Sequence, residues 1–305
     1  MESSPIALFT YNRPEHTRIT VEVLQMNKLS AQSDLFIFSD GPKEGDSGTK
    51  VQEVRNYLKT IKHFKSISII ERKSNFGLSA NILDGVRKII SEFGKIIVLE
   101  DDLLTSPYFL DYMNEGLRLY ENDEKVISIH SYLLPVEEKL PNTFFLRGAD
   151  CLGWATWKRG WDLFQPDGNL LLKRLIESKQ TKQFDFDNCY PYTQMLMDQI
   201  SGKNNSWAIR WYASAFLENK FTLYPGKSLI TNNGGDGSGT NNGFEYAQPV
   251  PFYPDLIEIK QIEVKQNEEA YKAFANYHRK AMHPPLWSKI KRKLKIALKP
   301  LHINL

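Results

Sequence analysis

Short apolar runs alternate with longer amphipathic stretches through the first 130 residues of the chain. The runs are rich in β-branched residues and nearly free of polar ones, which is typical of strands buried on both faces of a parallel sheet. We predict strands at residues 6–11, 35–39, 67–71, 96–99 and 126–129. Amphipathic periodicity between them predicts helices at residues 14–26, 50–61, 79–93 and 107–120. The pattern therefore predicts an α/β fold with a mostly parallel sheet flanked by helices.

The alternation fades after about residue 142, where tryptophans become frequent. We predict one domain over residues 1–283, made of a βαβ nucleotide-binding half (1–130), a mixed second half (131–265) and a C-terminal helix (266–283). Within the second half, a strand is expected at 221–224 and a glycine-rich loop at 232–243. A separate basic tail follows at residues 284–305.

The composition of the chain restricts which binding partners and which cellular compartment are expected. A chain of 305 residues with 41% hydrophobic content can fill a genuine core, and a formal net charge of +3 argues against nucleic acid as a partner. The two cysteines, Cys151 and Cys189, are too few for a disulfide framework. The early apolar run lacks the length and basic flank of a signal peptide, and no stretch is long enough to span a bilayer. We therefore expect a cytoplasmic protein.

Three consecutive carboxylates, Glu100, Asp101 and Asp102, directly follow the apolar run at 96–99. Ligands of such sheets bind beyond the carboxyl ends of the strands. Carboxylates crowded together repel one another, so a cation commonly balances them, and hard oxygen ligands suit Mg²⁺ or Mn²⁺. These ions also bind diphosphate oxygens. The alternative is a solvated strand end that caps the following helix.

Together with other loops, the triplet resembles the GT-A superfamily of glycosyltransferases, close to glycosyltransferase family 2 and to the N-acetylglucosaminyltransferase I type. The triplet resembles the DXD-type motif in its EDD form. Three segments resemble nucleotide-contacting loops of that family: TYNRP at 10–14, SD at 39–40 and NFGLSAN at 75–81. CLGW at 151–154 resembles a GLGW segment found at a comparable distance downstream. The resemblance covers residues 5–242 and lies in the order and spacing of the motifs.

The resemblance implies a GT-A fold, with a Rossmann-like donor half and an acceptor half at 131–265. It implies a hexosyl- or N-acetylhexosaminyltransferase that uses a nucleotide diphosphate sugar, expected to be a UDP-sugar, with Mn²⁺ or Mg²⁺ and inversion at the anomeric carbon. By position, Asp102 would bind the metal, and Glu100 and Asp101 would face the ribose or the donor sugar. The other residues expected at the nucleotide are Thr10, Asn12, Arg13, Asp40, Asn75, Gly77 and Asn81. For Asp40 and Arg13 the alternatives are a turn residue and a solvated charge.

An inverting transfer needs a general base near the acceptor hydroxyl, and a carboxylate is the usual choice. The related enzymes carry an aspartate directly after a tryptophan in this region, whereas Ala208 follows Trp207 here. We predict Asp198 as the base, since burial on a helix at 195–200 would raise its pKa; an exposed helix acid is the alternative. Asp236, in a loop that could close over the donor or form a surface turn, is the second candidate.

Two further residues are expected to meet the sugars. We predict that Asp150 contacts donor or acceptor hydroxyls and that Trp154 stacks on a sugar ring, although most tryptophans are core residues. His130, which directly follows a predicted strand, is interpreted as a histidine of the core or its rim.

The tail at 284–305 combines apolar residues with six basic residues and no acidic one: Lys289, Lys291, Arg292, Lys293, Lys295 and Lys299. This pattern permits an amphipathic helix on an anionic membrane surface. We predict a peripheral protein on the inner face of the cell membrane, with a glycan acceptor carried on polyprenyl diphosphate during bacterial surface-polysaccharide assembly. A solvated or disordered tail is the alternative.

Two other functions stay open. A sugar nucleotidyltransferase would show a glycine-rich, basic phosphate loop after the first strand, where this chain has residues 10–14. A non-catalytic nucleotide- or glycan-binding module at the membrane is compatible with the alanine at position 208.

Overall fold

The computed structural model describes residues 3–236 and 250–282. The first part alternates strand and helix, as predicted: β1 Ile6–Thr10, α1 Pro14–Gln25, β2 Asp34–Ser39, α2 Thr49–Leu58, β3 Ser66–Glu71, α3 Leu78–Phe93, β4 Lys95–Glu100, β5 Leu103–Thr105, α4 Phe109–Leu119 and β6 Val126–His130. The five predicted strands and four predicted helices of this part are confirmed, with their ends correct to within three residues. A short 3₁₀ helix at Ser30–Gln32 and the strand β5 were not predicted.

The second part mixes short strands with a group of helices: β7 Thr143–Arg147, β8 Trp154–Trp157, α5 Lys158–Trp161, α6 Gly168–Glu177, α7 Thr181–Phe184, α8 Tyr192–Ile200, α9 Ala208–Leu217, β9 Phe221–Pro225, β10 Ile230–Asn232 and α10 Glu268–Met282. The predicted strand at 221–224 and the last helix are confirmed as β9 and α10.

Eight strands form one sheet in the order β3-β2-β1-β4-β8-β6-β9-β7. β3, β2, β1 and β4 are mutually parallel, β8 runs antiparallel between β4 and β6, and β6 pairs in parallel with β9. The predicted fold class, α/β with a mostly parallel sheet flanked by helices, is confirmed. β1 and β4 lie side by side, so the loop after β1 and the acidic triplet after β4 meet at one sheet edge.

Local sequence explains why these elements form where they do. β1 is buried along its whole length and alternates its side chains between two cores: Ile6 and Leu8 face one core, whereas Ala7 and Phe9 face the other. Pro14 occupies the first turn of α1, where a missing N–H costs nothing. The sheet is therefore covered on both faces, and its ends are left to carry polar side chains.

A second, two-stranded sheet lies beside the triplet. β5 begins one residue after Asp102 and pairs antiparallel with β10, with Leu103 opposite Asn232. The chain after β10 is thereby brought back to the end of β4.

Some predictions lie outside the described residues. These are the basic tail at 284–305 and the part of the glycine-rich loop beyond Asp236. Within residues 3–236 and 250–282, no helix is long and apolar enough to cross a membrane.

Candidate functional site

The site is built from the carboxyl ends of three neighbouring strands. Thr10 at the end of β1 lies opposite Ser39 of β2, and Phe9 lies opposite Glu100 of β4. The loops that follow these strands carry most of the residues that the sequence predicted for the nucleotide. The structure thus brings Thr10, Asn12, Arg13, Asp40, Glu100, Asp101 and Asp102 to one edge of the sheet.

One guanidinium bridges two carboxylates of the triplet. Nη2 of Arg13 lies 2.5 Å from Oδ1 of Asp101 and 2.7 Å from Oδ2 of Asp102. The backbone N–H of Tyr11 donates to Oδ2 of Asp101 at 3.3 Å, and Thr20 Oγ1 donates to its carbonyl oxygen at 2.8 Å. Asp101 is therefore fixed by the β1 loop and α1. Asp102 is the more accessible of the two carboxylates, with 18% of its side chain exposed.

The charges of the triplet change one another's ionisation. Burial, with repulsion from Asp102 and Asp101, raises the pKa of Glu100 to about 8 despite the opposing charge of Arg13. Burial also raises the pKa of Asp101, against the attraction of Arg13. Burial alone would lower the pKa of Arg13, but the two carboxylates outweigh it and the net direction is upward. The three acids therefore disfavour one another's charged forms, and the guanidinium of Arg13 offsets part of the charge at this corner.

The segment after β10 touches Asp102. The N–H of Asn233 donates to the backbone oxygen of Asp102 at 2.8 Å. Gly234 lies so close that a Cβ at this position would overlap the Asp102 carboxylate. Two residues later, Oδ2 of Asp236 lies 3.4 Å from Nε2 of His16 on α1. Asp236 thus lies beside α1, two residues after the close approach of Gly234 to Asp102.

Asp40 holds two loops together through its side chain. Oδ1 accepts from the N–H groups of Gly41 and Phe76 at 2.8 Å each, and Oδ2 accepts from the N–H of Gly77 at 3.0 Å and Nδ2 of Asn75 at 3.1 Å. The carboxylate is almost fully buried. These four donors account for its lone pairs. In this structure Asp40 fastens the loop after β2 to the loop that opens α3.

Asn81 is similarly engaged within the protein. Its Nδ2 donates to the carbonyl of Phe38 at 3.3 Å, and its Oδ1 accepts from Nε of Arg72 at 3.0 Å. The Arg72 guanidinium also stacks over the exposed ring of Phe76, 4.5 Å from its centroid. Asn75, Gly77 and Asn81 thereby shape a wall of the site beside Asp40.

Two buried polar atoms near the triplet have no hydrogen-bond partner among the described residues: Oγ1 of Thr10 and Nη1 of Arg13. Buried polar groups are nearly always paired, so unpaired ones near a sheet edge indicate a place for ligand atoms. An oxygen-rich ligand such as a nucleotide diphosphate offers the acceptors that these two atoms need.

The donor set at this corner fits a hard divalent cation. No cluster of three His, Cys, Asp or Glu side chains is arranged for a metal in the part of the chain that the structure describes. Mg²⁺ and Mn²⁺, however, are commonly bound through one or two carboxylates together with substrate phosphates. Asp102 offers such a carboxylate, because it is partly exposed and already attracts a cationic side chain.

A second polar group lies two strands away on the same edge. Asp150, in the loop between β7 and β8, has Oδ2 at 3.4 Å from the Tyr224 hydroxyl and 3.5 Å from Nε2 of His130. His130 is the last residue of β6 and is fully buried. The prediction that His130 lies in the core or its rim is confirmed, whereas its contact with Asp150 was not predicted. The position of His130 at the end of a predicted strand was the sequence feature that could have indicated this contact.

The prediction for Trp154 is wrong in this structure. Its side chain is 0% exposed, because β8 lies inside the sheet and the rings of Trp161, Trp207 and Trp211 surround it at centroid distances of 5.5–5.8 Å. No face of the ring is open to a sugar. The resemblance in the CLGW segment therefore marks a core position.

The expected pKa shift of Asp198 is also wrong. α8 is confirmed, but the side chain of Asp198 is 31% exposed and accepts from Gln194 at 3.0 Å and Lys203 at 3.2 Å. These donors lower its pKa instead of raising it. α8 packs against α6, α7 and α9 and has no described hydrogen bond to the triplet. The structure does not bring Asp198 together with the other predicted site residues.

Comparison with known proteins gives matches among solved structures. No family model matches the chain, and no curated protein matches it in sequence. Its structure is similar to S. aureus TarS, with a TM-score of 0.31 and 9% identity, over 48% of this chain and 25% of that chain. The chain thus spans about a quarter of the length of TarS.

Two other solved structures match over more of the chain. UDP-glucose pyrophosphorylase complexed with UDP-glucose has a TM-score of 0.36 and 14% identity, over 73% of this chain and 90% of that chain. The mannosyltransferase PcManGT from Pyrobaculum calidifontis, in complex with GDP-Man and Mn²⁺, has a TM-score of 0.39 and 10% identity, over 72% and 70%. Because all three TM-scores lie below 0.5, we base the proposed function on the side chains of this chain.

Proposed function

We propose that the protein is a glycosyltransferase of the GT-A type, which moves a sugar from a nucleotide diphosphate donor to a hydroxyl of a glycan. The observation that carries the proposal is the acidic corner at the end of β4, where Asp101 and Asp102 share the guanidinium of Arg13. The order of the sequence motifs and their resemblance to the GT-A superfamily support the same function.

The donor site that we propose lies between the β1 loop and the Asp40-bound loop. Thr10 Oγ1 and Arg13 Nη1 are the unpaired donors that would meet phosphate or ribose oxygens. Asp40 acts there by holding the Asn75–Gly77 backbone in place, since its own acceptor positions are filled. Asp102 would hold Mn²⁺ or Mg²⁺, and the ion would offset the charge that develops on the departing nucleotide diphosphate.

Thermal unfolding with a donor panel tests the proposal. UDP-glucose, UDP-galactose, UDP-N-acetylglucosamine, UDP-N-acetylgalactosamine and GDP-mannose are each added with and without Mn²⁺. We expect a UDP-sugar to raise the Tm of the wild type and Mn²⁺ to enlarge the shift. Asp102→Asn should lose the Mn²⁺-dependent part, whereas Asp162→Asn, at an exposed aspartate on the end of α5, should keep it. Comparing ligand-induced shifts removes any effect of the substitution on stability itself.

Turnover separates the proposal from its alternatives. Release of UDP from the stabilising donor, with a panel of p-nitrophenyl glycosides as acceptors, supports a transferase. Release of pyrophosphate from UTP and a sugar 1-phosphate would mark a nucleotidyltransferase. Donor binding with neither reaction would mark a binding module. Absence of any Tm shift across the panel contradicts the proposed donor site.

We also propose that residues 284–305 attach the enzyme to an anionic membrane, where a polyprenyl-diphosphate-linked acceptor would lie. The basis is the sequence alone: six basic residues among apolar ones. Each basic residue near such a surface contributes about 1 kcal/mol of attraction. The full chain should sediment with vesicles containing phosphatidylglycerol and should remain in solution with pure phosphatidylcholine. A chain ending at residue 283 should remain in solution with both.

A further inference from the structure

Asp150 is presented by a loop that is fixed at both ends. Gly148 has φ +103°, and a Cβ there would overlap the ring of Tyr212; Gly153 has φ +56° and lies against Ser131. Both conformations favour glycine over any other residue. The Gly148 carbonyl accepts from Thr222 Oγ1 at 2.8 Å, and the Gly153 carbonyl accepts from Ser131 Oγ at 2.6 Å. A side chain on this loop is therefore held in place by the scaffold.

The carboxylate itself is oriented on one side and open on the other. Oδ1 of Asp150 accepts from the N–H of Cys151 at 2.7 Å, and Oδ2 faces the Tyr224 hydroxyl and Nε2 of His130. The side chain is 29% exposed. A carboxylate that is held by its own loop yet accessible to solvent has the geometry that proton transfer from an incoming hydroxyl requires.

His130 is the least explained side chain in this group. It is 0% exposed, and neither ring nitrogen has a hydrogen-bond partner among the described residues. Burial lowers its pKa, against the attraction of Asp150, so the neutral ring is favoured, with one N–H to donate. At 3.5 Å, Nε2 lies just beyond a good hydrogen bond to Asp150. Catalytic hydrogen bonds are often long before substrate binds and shorten afterwards.

Strand register places this group near the acidic corner. His130 of β6 lies opposite Trp154 of β8, which lies opposite Val98 of β4, two residues before Glu100. At about 4.8 Å between neighbouring strands, His130 and Val98 are roughly 10 Å apart. The two polar groups therefore lie at the same edge of the sheet, two strands apart.

We propose that Asp150 is the general base of the transfer reaction, and that His130 and Tyr224 are positioning residues that orient its carboxylate. This inference rests on the proposed transferase function. The acceptor O–H proton passes to Asp150 as the acceptor oxygen forms a bond to the anomeric carbon. The bond from that carbon to the donor phosphate oxygen breaks, and its electron pair leaves with the nucleotide diphosphate. The proton then passes from Asp150 to water.

This assignment supplies the base that Ala208 cannot provide. Ala208 begins α9 directly after Trp207 and carries no ionisable group. Asp198 is paired with Lys203 on the outer surface of α8. Asp150 combines solvent access, a fixed loop and two polar ring neighbours.

Asp150→Asn tests the base directly. The asparagine keeps the size of the side chain and can still accept from the Cys151 N–H. We expect the Mn²⁺-dependent Tm shift with the stabilising donor to be unchanged and UDP release to fall by about 100-fold or more. The control Asp162→Asn should keep both. In Asp150→Gly, added sodium formate should restore part of the turnover, because formate can take the proton.

The outcomes separate this inference from the function on which it rests. If the wild type binds donors but shows no transfer or donor hydrolysis, both proposals fail. If the wild type turns over and Asp150→Asn does so at a comparable rate, only the assignment of Asp150 is overturned. Loss of turnover in Asp150→Gly without any rescue by formate also contradicts a role in proton transfer.

The positioning residues have their own test. His130→Gln and Tyr224→Phe should each lower kcat by about tenfold while the KM for the donor stays within about twofold, since they act on the orientation of Asp150. A rise in donor KM with kcat unchanged would instead assign them to binding. In the Asp150→Asn background, either substitution should have little further effect on kcat. A full additional tenfold loss there would contradict action through Asp150.

Discussion

Arg13 Nη2 lies 2.7 Å from Oδ2 of Asp102, so a cation supplied by the chain already lies at the acidic triplet. The two residues are 89 positions apart and meet only because β1 and β4 are neighbours in the sheet. The pair is partly buried, which makes its loss more costly than that of a surface ion pair.

Arg13→Met should therefore lower the free energy of unfolding by about 3–5 kcal/mol, because it leaves buried carboxylates without their counter-charge. Urea denaturation without divalent metal measures the loss. The control is Arg18→Met in α1. Arg18 pairs with Glu15 and Glu22 at the exposed surface. That change should have little effect on the free energy of unfolding, because exposed ion pairs contribute little to stability. Equal losses of unfolding free energy in the two variants would show that the Arg13 bridge contributes no more to stability than an exposed ion pair does.

Gly234→Ala should weaken the response to donor and Mn²⁺. A methyl group at this position overlaps the carboxylate of Asp102, so either the acid or the chain after β10 must move. We expect the Mn²⁺-dependent Tm shift to fall by at least half, with little change in the Tm of the ligand-free protein. An unaltered shift would mean that the close approach of Gly234 has no bearing on the site.

Asp40→Ala should loosen the loop that opens α3. Three backbone N–H groups and one side-chain amide lose their acceptor, and unpaired buried donors cost about 1–3 kcal/mol each before any relaxation. We expect a loss of roughly 3 kcal/mol in urea denaturation. Hydrogen exchange at Phe76 and Gly77 should also become faster. Asp46→Ala, which removes a single exposed acceptor of the Gly48 N–H, is the control and should change neither measurement appreciably.

His130 should make stability depend on pH in a defined window. Burial lowers its pKa, so the unfolded chain binds a proton at a higher pH than the folded protein does. The free energy of unfolding therefore falls as pH drops below about 6.5, the ordinary histidine value, towards the lowered value in the fold. His130→Gln should flatten the curve between about pH 5 and 7. An identical slope in wild type and His130→Gln would contradict the burial of an uncharged ring.

Much of the fold follows from local pattern. The continuous apolar runs of β1 and β4 and the amphipathic periodicity of α3 are visible in the sequence, because burial on both faces of a sheet leaves few polar positions. The triplet after β4 could likewise be located by its contrast with the run before it. Short strands such as β5 and β10 were missed, since three residues carry no periodicity and pair only through tertiary contact.

The acceptor side was less predictable, for a physical reason. Whether Trp154 faces a sugar or a core depends on β8 inserting between β4 and β6, a long-range pairing that its own neighbours do not encode. Asp198 was expected among apolar neighbours, yet its position on α8 places the side chain at the surface beside Lys203. The contact of Asp150 with His130 joins residues from different strands and loops. Such relations are properties of the assembled sheet.

The aromatic cluster around Trp154 has a practical consequence. Trp154, Trp161, Trp207 and Trp211 are all buried, and the rings of Trp154 and Trp161 lie 5.2–6.3 Å from the other rings of the cluster by their centroids. Indole rings this close couple electronically, so the near-ultraviolet circular dichroism and fluorescence of the protein will be dominated by how α9 packs on the sheet. Those optical signals therefore report on the tertiary packing of α9 against the sheet.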